Sequence, residues 1–418
     1  MNAQATSTRF WHPFADMARV ADHELLIERG EGVWIWDSAG RRYLDATASL
    51  WYANVGHGRP EIRQAVAAQM EQLEAYSTFG DFVSRPAQEL AQRLAALAPI
   101  PDARVFLGSG GGDGIEAAAK LARQYWWLSG RAGKTHLLTR TGGYHGTHGF
   151  GTSLGGIEAN TAGFGPLVDD VSVVAFDSLE ALDQRIQDVG AERIAAFFAE
   201  PVIGAGGVFA PPEGYLEGAA TLCRENEILF VADAVICGFG RLGTWFGIER
   251  WDVVPDMIVF AKGVTSGYLP LGGVVISGEL AKPFWETEGR PFRHGATYAG
   301  HATCCAAALA NLELLESDGL LGRGRELEDV LADALEPLAD LAQVAEVRAG
   351  VGLLGAVELA PELVQSGQVA KVAAAAREAG VIVRALGRGV AVSPPLIIEP
   401  DEITLIGDAL EHAVVAAG

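Results

Sequence analysis

Between residues 104 and 277 the chain alternates short, unbroken apolar runs with longer segments of helical period. The runs at 104–107, 136–139, 171–176, 194–199, 228–232, 257–261 and 273–277 are mostly continuous rather than alternating, the pattern of strands buried on both faces. IEAAAKLARQYWW, 115–127, is rich in strong helix formers and reads as an amphipathic helix. Strand and helix in turn predict a parallel sheet covered by helices. The two ends differ. EGVWIWDSAGRRYLDAT, 31–47, reads as a hairpin turning at 38–40. VGLLGAVEL, VIVRAL and GVAVSPPLII, within 351–398, read as short strands between helical stretches. The pattern predicts a large, mostly parallel α/β domain over 60–310. A small α+β domain is built from both ends, 1–59 and 311–418. No internal repeat or low-complexity linker interrupts it.

Composition narrows the class. Apolar content of 49% and charged content of 20% suit a globular chain with a large core. The formal net charge is −22 and no Lys/Arg cluster stands out, which argues against a nucleic-acid partner. The four cysteines form no CxxC pair and no metal spacing, so no metal is expected and a reduced, cytoplasmic protein is indicated. MNAQATSTRFWHPF lacks a secretory pattern, and no apolar window is long enough to predict a membrane span. The 52 glycines exceed the usual share of ~7% and imply tight turns and close backbone approaches.

Several apolar runs end in a conspicuous group. IAAFFAE ends at Glu200, ILFVAD at Asp233 and MIVFAK at Lys262, while HLLTRTGGYHG runs into Tyr144. Open α/β sheets bind ligands beyond the carboxyl ends of their strands, so neighbouring strands would bring these groups to one crevice. Singly, each has an ordinary explanation: a cap, a core aromatic, or a lysine reaching back to solvent. In RVFLGSGGGDGIEAAAKLAR a strand passes through glycines into a helix, whose first N–H groups suit a phosphate. It is neither a Walker A loop nor a properly spaced GxGxxG. A phosphate cradle, a flat aromatic, an acid and a partly buried lysine are together what pyridoxal 5'-phosphate requires. Burial and nearby positive charge would lower the lysine pKa and free its amine for attack.

These residues also resemble a family. FWHPFADM, DATASLWYANVGHGRPEI, GGYHG, AEPVIGAGGVFAPPEGY, VADAVICGFGRLGTWFG, PDMIVFAKGVTSGYLPLGGVVIS and HGATYAGHATCCAAALANL are similar to segments of the class III, or omega-amino-acid, aminotransferases. The resemblance spans nearly the whole chain and implies the fold-type-I architecture of pyridoxal-phosphate transferases. It implies that Lys262 forms the Schiff base and Asp233 pairs with the pyridine nitrogen. Tyr144 stacks on the ring, Val235 packs beneath it, and Gly111 and Gly112 hold the phosphate. Glu200 lies near the ring oxygen. Thr297 reaches the phosphate of the other subunit's cofactor, which implies a homodimer with shared sites. Arg241 is implied to be structural. Two positions depart from the pattern. Ala234 replaces the glutamate of Asp-Glu-Val, and Gly111-Gly112-Asp113 replaces Gly-Ser-Glu, removing a hydroxyl from the phosphate loop.

The implied reaction moves an amino group from an amine donor to a keto acid such as pyruvate, with Lys262 as acid and base. Arg384 matches a mobile arginine for the acceptor carboxylate, and Arg388 is the fallback. Trp51, Tyr52 and Ala205 match pocket-lining positions, and Phe79 or Phe82 would come from the partner. His145 is expected to pack the loop. Ile236 stands where acetylornithine- or aminobutyrate-type relatives carry Gln, which leans toward the omega-transaminase branch. Rival readings are a diaminopelargonate-type aminotransferase, suggested by Trp11-His12-Pro13-Phe14; a racemase, decarboxylase or aminomutase on the same scaffold; and a catalytically silent binding protein, motivated by Ala234 and Gly112.

Overall fold

The computed structural model describes residues 8–20 and 23–417, so the first seven residues of the 1–59 segment lie outside the described residues. Near the N-terminus, β1 (Ile27–Glu31), β2 (Trp34–Asp37) and β3 (Arg42–Asp45) form an antiparallel meander. The turn at 38–40 is closed by Asp37, whose Oδ1 accepts the Ala39 and Arg41 amides.

The central sheet has seven strands: β4 (Arg104–Gly108), β5 (His136–Arg140), β6 (Val171–Val174), β7 (Ile194–Ala199), β8 (Leu229–Asp233), β9 (Met257–Phe260) and β10 (Gly272–Ile276). Their order is β4-β10-β9-β8-β7-β5-β6. The seven expected runs are these strands, shifted by a few residues at their ends. All but β10 run the same way, and β10 is antiparallel to both neighbours. The segment between β9 and β10 holds only a short 3₁₀ turn, too little chain for a crossover back to a parallel start.

Both faces of the sheet are covered. Along β7, Ile194, Phe197 and Ala199 join one apolar cluster, while Ala195, Ala196 and Phe198 join another on the opposite face. The second cluster is closed by the helix Gly111–Leu128, which buries Ile115, Ala118, Ala119, Ala122 and Trp126. Burying residues of this size contributes about 1.5–3 kcal/mol for each large side chain, so a polar substitution in β7 would break the layer.

The C-terminal part adds β11 (Val344–Arg348), β12 (Gly355–Leu359), β13 (Val381–Ile382), β14 (Arg384–Ala385) and β15 (Gly389–Val392). Strands β11, β12, β15 and β14 form an antiparallel sheet, whereas β13 pairs in parallel with β3. The chain's two ends therefore share one sheet. Arg241, fully buried, braces the same region: its guanidinium donates to the carbonyls of Leu353 (3.1 Å) and Pro394 (2.6 Å) and to Asn54 Oδ1 (3.0 Å). Among the described residues no helix is long and apolar enough to cross a membrane.

Candidate active site

A cavity of about 450 Å³ opens at the carboxyl ends of the parallel strands. Asp233 closes β8, Glu200 follows β7 directly, Tyr144 follows β5, and Lys262 follows β9 by two residues. All four line this cavity, together with Gly111, Gly112 and Val235. Parallel pairing of β7 with β8 and of β8 with β9 brings together groups far apart in sequence.

Lys262 begins the 3₁₀ turn Lys262–Val264 with φ of +48°. This left-handed backbone costs a non-glycine residue roughly 1–3 kcal/mol and persists only where packing enforces it. Asn311 supplies part of that enforcement, donating from Nδ2 to the carbonyls of Gly263 (2.8 Å) and Val264 (3.0 Å). The Lys262 side chain is walled by protein but keeps an opening to the cavity. Burial draws its amine down to about 8, against the opposing pull of Asp233 and Glu200.

Asp233 is 3% exposed, and each carboxylate oxygen has one partner. Its Oδ1 accepts the Val235 amide at 3.1 Å, and its Oδ2 lies 2.7 Å from His145 Nδ1. The expectation of a packing role for His145 thus omitted its main partner. The adjacency of Tyr144 and His145 was the available signal. Glu200 accepts the amides of Tyr144 and Gly204, both at 3.0 Å, and burial raises its pKa, reinforced by Asp233 and opposed by His145. Burial likewise raises the Tyr144 hydroxyl.

Gly111 and Gly112 start the helix Gly111–Leu128. A Cβ on Gly111 would stand 3.0 Å from Val235 Cγ2, so the helix can approach Val235 this closely only without a side chain. Asp113 turns back to accept the Ser109 amide at 2.8 Å.

The remaining expected residues divide. Tyr52 lines the cavity, and its ring lies over Gly267. Trp51 is buried in an apolar cluster with Val202, Ile236 and Leu354 and does not border the cavity, whereas its neighbour Leu50 does. Ala205 is half-buried outside the lining. Thr297 is exposed in the loop before the helix Ala302–Ser317, also outside it. Phe79 and Phe82 border a different cleft of about 1220 Å³, which Lys262 does not line. Arg384, on β14, is exposed, and its charge bears on both Tyr144 and Lys262. Arg388 pairs with Glu358 instead.

The sequence reading did not reveal what shapes the segment at 47–52. Ala48, Ser49 and Trp51 all have positive φ. Asp45, 1% exposed, holds them. Its Oδ1 accepts the Thr47 amide (3.2 Å) and hydroxyl (3.1 Å), and its Oδ2 accepts the Ser49 amide (2.7 Å) and meets His57 Nε2 (2.8 Å). Nothing local in the sequence marks Asp45 for this task.

The free N–H groups of a helix start suit a phosphate, Asp233 a ring nitrogen, Tyr144 and Val235 a flat ring, and a buried amine an aldehyde. The glycine cradle that a Cβ would fill, and a Lys262 amine with no hydrogen bond to its side chain among the described residues, fit pyridoxal phosphate. A mostly parallel sheet carrying this constellation at its carboxyl edge defines a fold-type-I pyridoxal-phosphate-dependent transferase. The family model described as aminotransferase class-III matches residues 17–414, and the chain belongs to that family. It is 37% identical to the putrescine–pyruvate aminotransferase of Pseudomonas aeruginosa over 456 residues, covering 100% of this chain and 99% of the relative. Among solved structures, an (S)-enantioselective omega-transaminase from Thermomicrobium roseum is similar with a TM-score of 0.93 and 39% identity, covering 97% of this chain and 96% of that one. A pyridoxal-phosphate-bound amine transaminase from an uncultivated Pseudomonas species has a TM-score of 0.95 and 37% identity, covering 99% and 100%. The protein is a pyridoxal-phosphate-dependent class III aminotransferase.

Proposed function

We propose that this enzyme carries the amino group of an amine or omega-amino acid to a keto acid such as pyruvate, as a cytoplasmic homodimer. The carrying observation is Lys262: a buried amine near 8, opening into the same cavity as Asp233 and the Gly111–Gly112 helix start. The names of the putrescine–pyruvate and omega-transaminase relatives favour this substrate pair.

When bound, pyridoxal phosphate supplies an aldehyde for amine exchange and a conjugated ring that accepts an electron pair. The protein's part follows from its own groups. Lys262 Nζ would hold the aldehyde and, once freed by the incoming amine, would take a proton from the donor's amine-bearing carbon and deliver it to the carbon that had carried the aldehyde. A pKa near 8 leaves a usable neutral fraction at ordinary pH. Asp233, oriented by His145, would hold the ring nitrogen. Tyr144 and Val235 would cover the ring, the amides of Gly111 and Gly112 would take the phosphate, and Glu200 would serve the ring oxygen. Tyr52 shapes the amine pocket directly, and Trp51 and Ala205 through the loops that carry them. Arg384, exposed and near enough for its charge to act on Tyr144 and Lys262, would take the acceptor carboxylate.

Residues 60–310 form the cofactor-binding body in this reading, with 1–59 and 311–418 as the smaller one. Dimerisation is supported by the exposed Phe79, Phe82, Val83 and Tyr298, since monomers rarely expose so many neighbouring large apolar groups. Thr297 lies in the same region and would serve the partner's phosphate. Four buried, free cysteines suit a reducing compartment.

A panel of amines with pyruvate, scored by alanine formed, tests the function. Alanine equal to the amine consumed is expected. Release of carbon dioxide, or inversion of an amino acid without an acceptor, would replace the reading with a decarboxylase or racemase. Light scattering tests the dimer, and a monomer would remove the shared site.

A further inference from the structure

The phosphate loop lacks the hydroxyl that the Gly-Ser-Glu pattern places at residue 112, yet the space beside Gly112 is filled. A Cβ built on Gly112 would meet His148 Cε1 at 3.2 Å, Nδ1 at 3.3 Å and Nε2 at 3.4 Å. All three are ring atoms, and they include both nitrogens. The imidazole edge thus stands where a side chain on residue 112 would project. This is a tight fit, because the segment carrying His148 is pressed onto the helix start. A Cβ on Gly146 would come within 3.2 Å of Gly112 Cα.

The ring has a carboxylate neighbour. His148 Nδ1 lies 3.7 Å from Asp113 Oδ1, beyond a hydrogen bond, while Asp113 Oδ2 accepts the Ser109 amide. One carboxylate therefore stands between the imidazole and the glycine loop. Half of the His148 side chain remains exposed, and it borders the neighbouring cleft lined by Phe14, Thr147 and Phe164, so its ring reaches the helix start only across Gly112. Glycine and imidazole are complementary in volume: with serine at 112 the ring would have to move, and with glycine it can stay.

We propose that His148 is a phosphate-binding residue of this enzyme, donating a ring N–H to the cofactor's phosphate in place of the hydroxyl absent at Gly112. The proposal rests on the pyridoxal-phosphate site described above and adds a residue to it. The ligand chemistry is a phosphate monoester dianion, held jointly by backbone amides and an imidazole.

The test compares binding of pyridoxal phosphate with binding of pyridoxal, which has the same ring and aldehyde but no phosphate. The full-length enzyme is stripped of cofactor, and rebinding is followed by absorbance. His148→Ala is expected to weaken pyridoxal phosphate by about tenfold or more, the usual effect of losing a hydrogen bond to a charged group. Pyridoxal binding should be unchanged. Gly112→Ser alone should also weaken pyridoxal phosphate, because the new Cβ meets the ring. The double variant, Gly112→Ser with His148→Ala, should recover most of the wild-type affinity. Equal pyridoxal-phosphate affinity in His148→Ala and wild type would overturn the proposal. So would a loss shared equally by pyridoxal, or a double variant no better than His148→Ala. If wild type itself bound no pyridoxal phosphate, the cofactor reading would fall and this inference with it, a result distinct from the other three.

Discussion

His145 Nδ1 lies 2.7 Å from Asp233 Oδ2, with both side chains buried at the floor of the cavity. The pair spans 88 positions of sequence and joins the loop after β5 to the end of β8. His145 Nε2 has no partner, so Asp233 is its one polar anchor among the described residues. The carboxylate is thereby held in one orientation, with the amide of Val235 fixing its other oxygen. Fixed dipoles and charges aimed at developing charge are usually a large part of catalysis. Asp233→Asn is therefore expected to lower kcat by ~10²–10³ while the protein still takes up cofactor. His145→Gln, which can keep one hydrogen bond, should lower kcat about tenfold. Steady-state kinetics beside cofactor content checks both, and undiminished kcat in Asp233→Asn would remove its assigned role.

Lys262 gives a pH dependence with a definite sign. Its amine is drawn from 10.5 to about 8 by burial, so the folded, cofactor-free protein binds fewer protons than the unfolded chain between those values. The cost of burying the charge is fully present below pH 8 and disappears as pH rises through 10.5. Lys262→Met should stabilise the cofactor-free protein by roughly 3 kcal/mol at pH 7, the value of a shift of this size at ~1.4 kcal/mol per pH unit. That gain should be absent at pH 10.5 and above. Urea denaturation at the two pH values measures it. Lys262→Met should also have no detectable transamination, and borohydride should attach no cofactor to it.

Arg384 is exposed and joins no ion pair among the described residues, unlike Arg388 beside Glu358. Arg384→Ala is expected to raise KM for pyruvate by ~10–100-fold, matching a lost charge-assisted hydrogen bond. KM for an amine without a carboxylate should change little. A parallel rise for both substrates would point to general damage instead. Arg388→Ala serves as the comparison and should leave both values near wild type.

Asp45 stabilises a segment with three left-handed non-glycine residues, at the cost of burying its own charge. Asp45→Ala should cost about 2–4 kcal/mol in denaturant unfolding, since several buried donors lose their acceptor together. It should also raise KM for bulky amines, because Leu50 and Tyr52 reach the cavity from this segment. Asp45→Asn, which keeps some of these bonds, should lose less in both. Wild-type stability in the alanine variant would show that the backbone holds its shape unaided.

Much of the site could be read from the chain because strand-end positions obey local rules. Continuous apolar runs marked β5, β7, β8 and β9, and the conspicuous polar or aromatic groups at or soon after their ends had to appear at the carboxyl edge. That logic brought Tyr144, Glu200, Asp233 and Lys262 to one cavity with no knowledge of the distances between them. The glycines before 115 likewise announced a helix start open to an anion. Runs of period two or unbroken hydrophobicity are local properties, and a parallel sheet turns them into position.

Tertiary structure alone decided the rest. It set β10 antiparallel, buried Trp51 while sending Leu50 and Tyr52 to the cavity, tied Arg388 to Glu358, and left Arg384 beside Tyr144 and Lys262. It also joined His145 to Asp233, Asp45 to His57, and His148 to the face of Gly112. Each of these depends on which surfaces meet when separate segments pack. Hydrogen bonds and steric fits of this kind extend over a few ångströms, and their partners come together in space with no periodic signature along the chain.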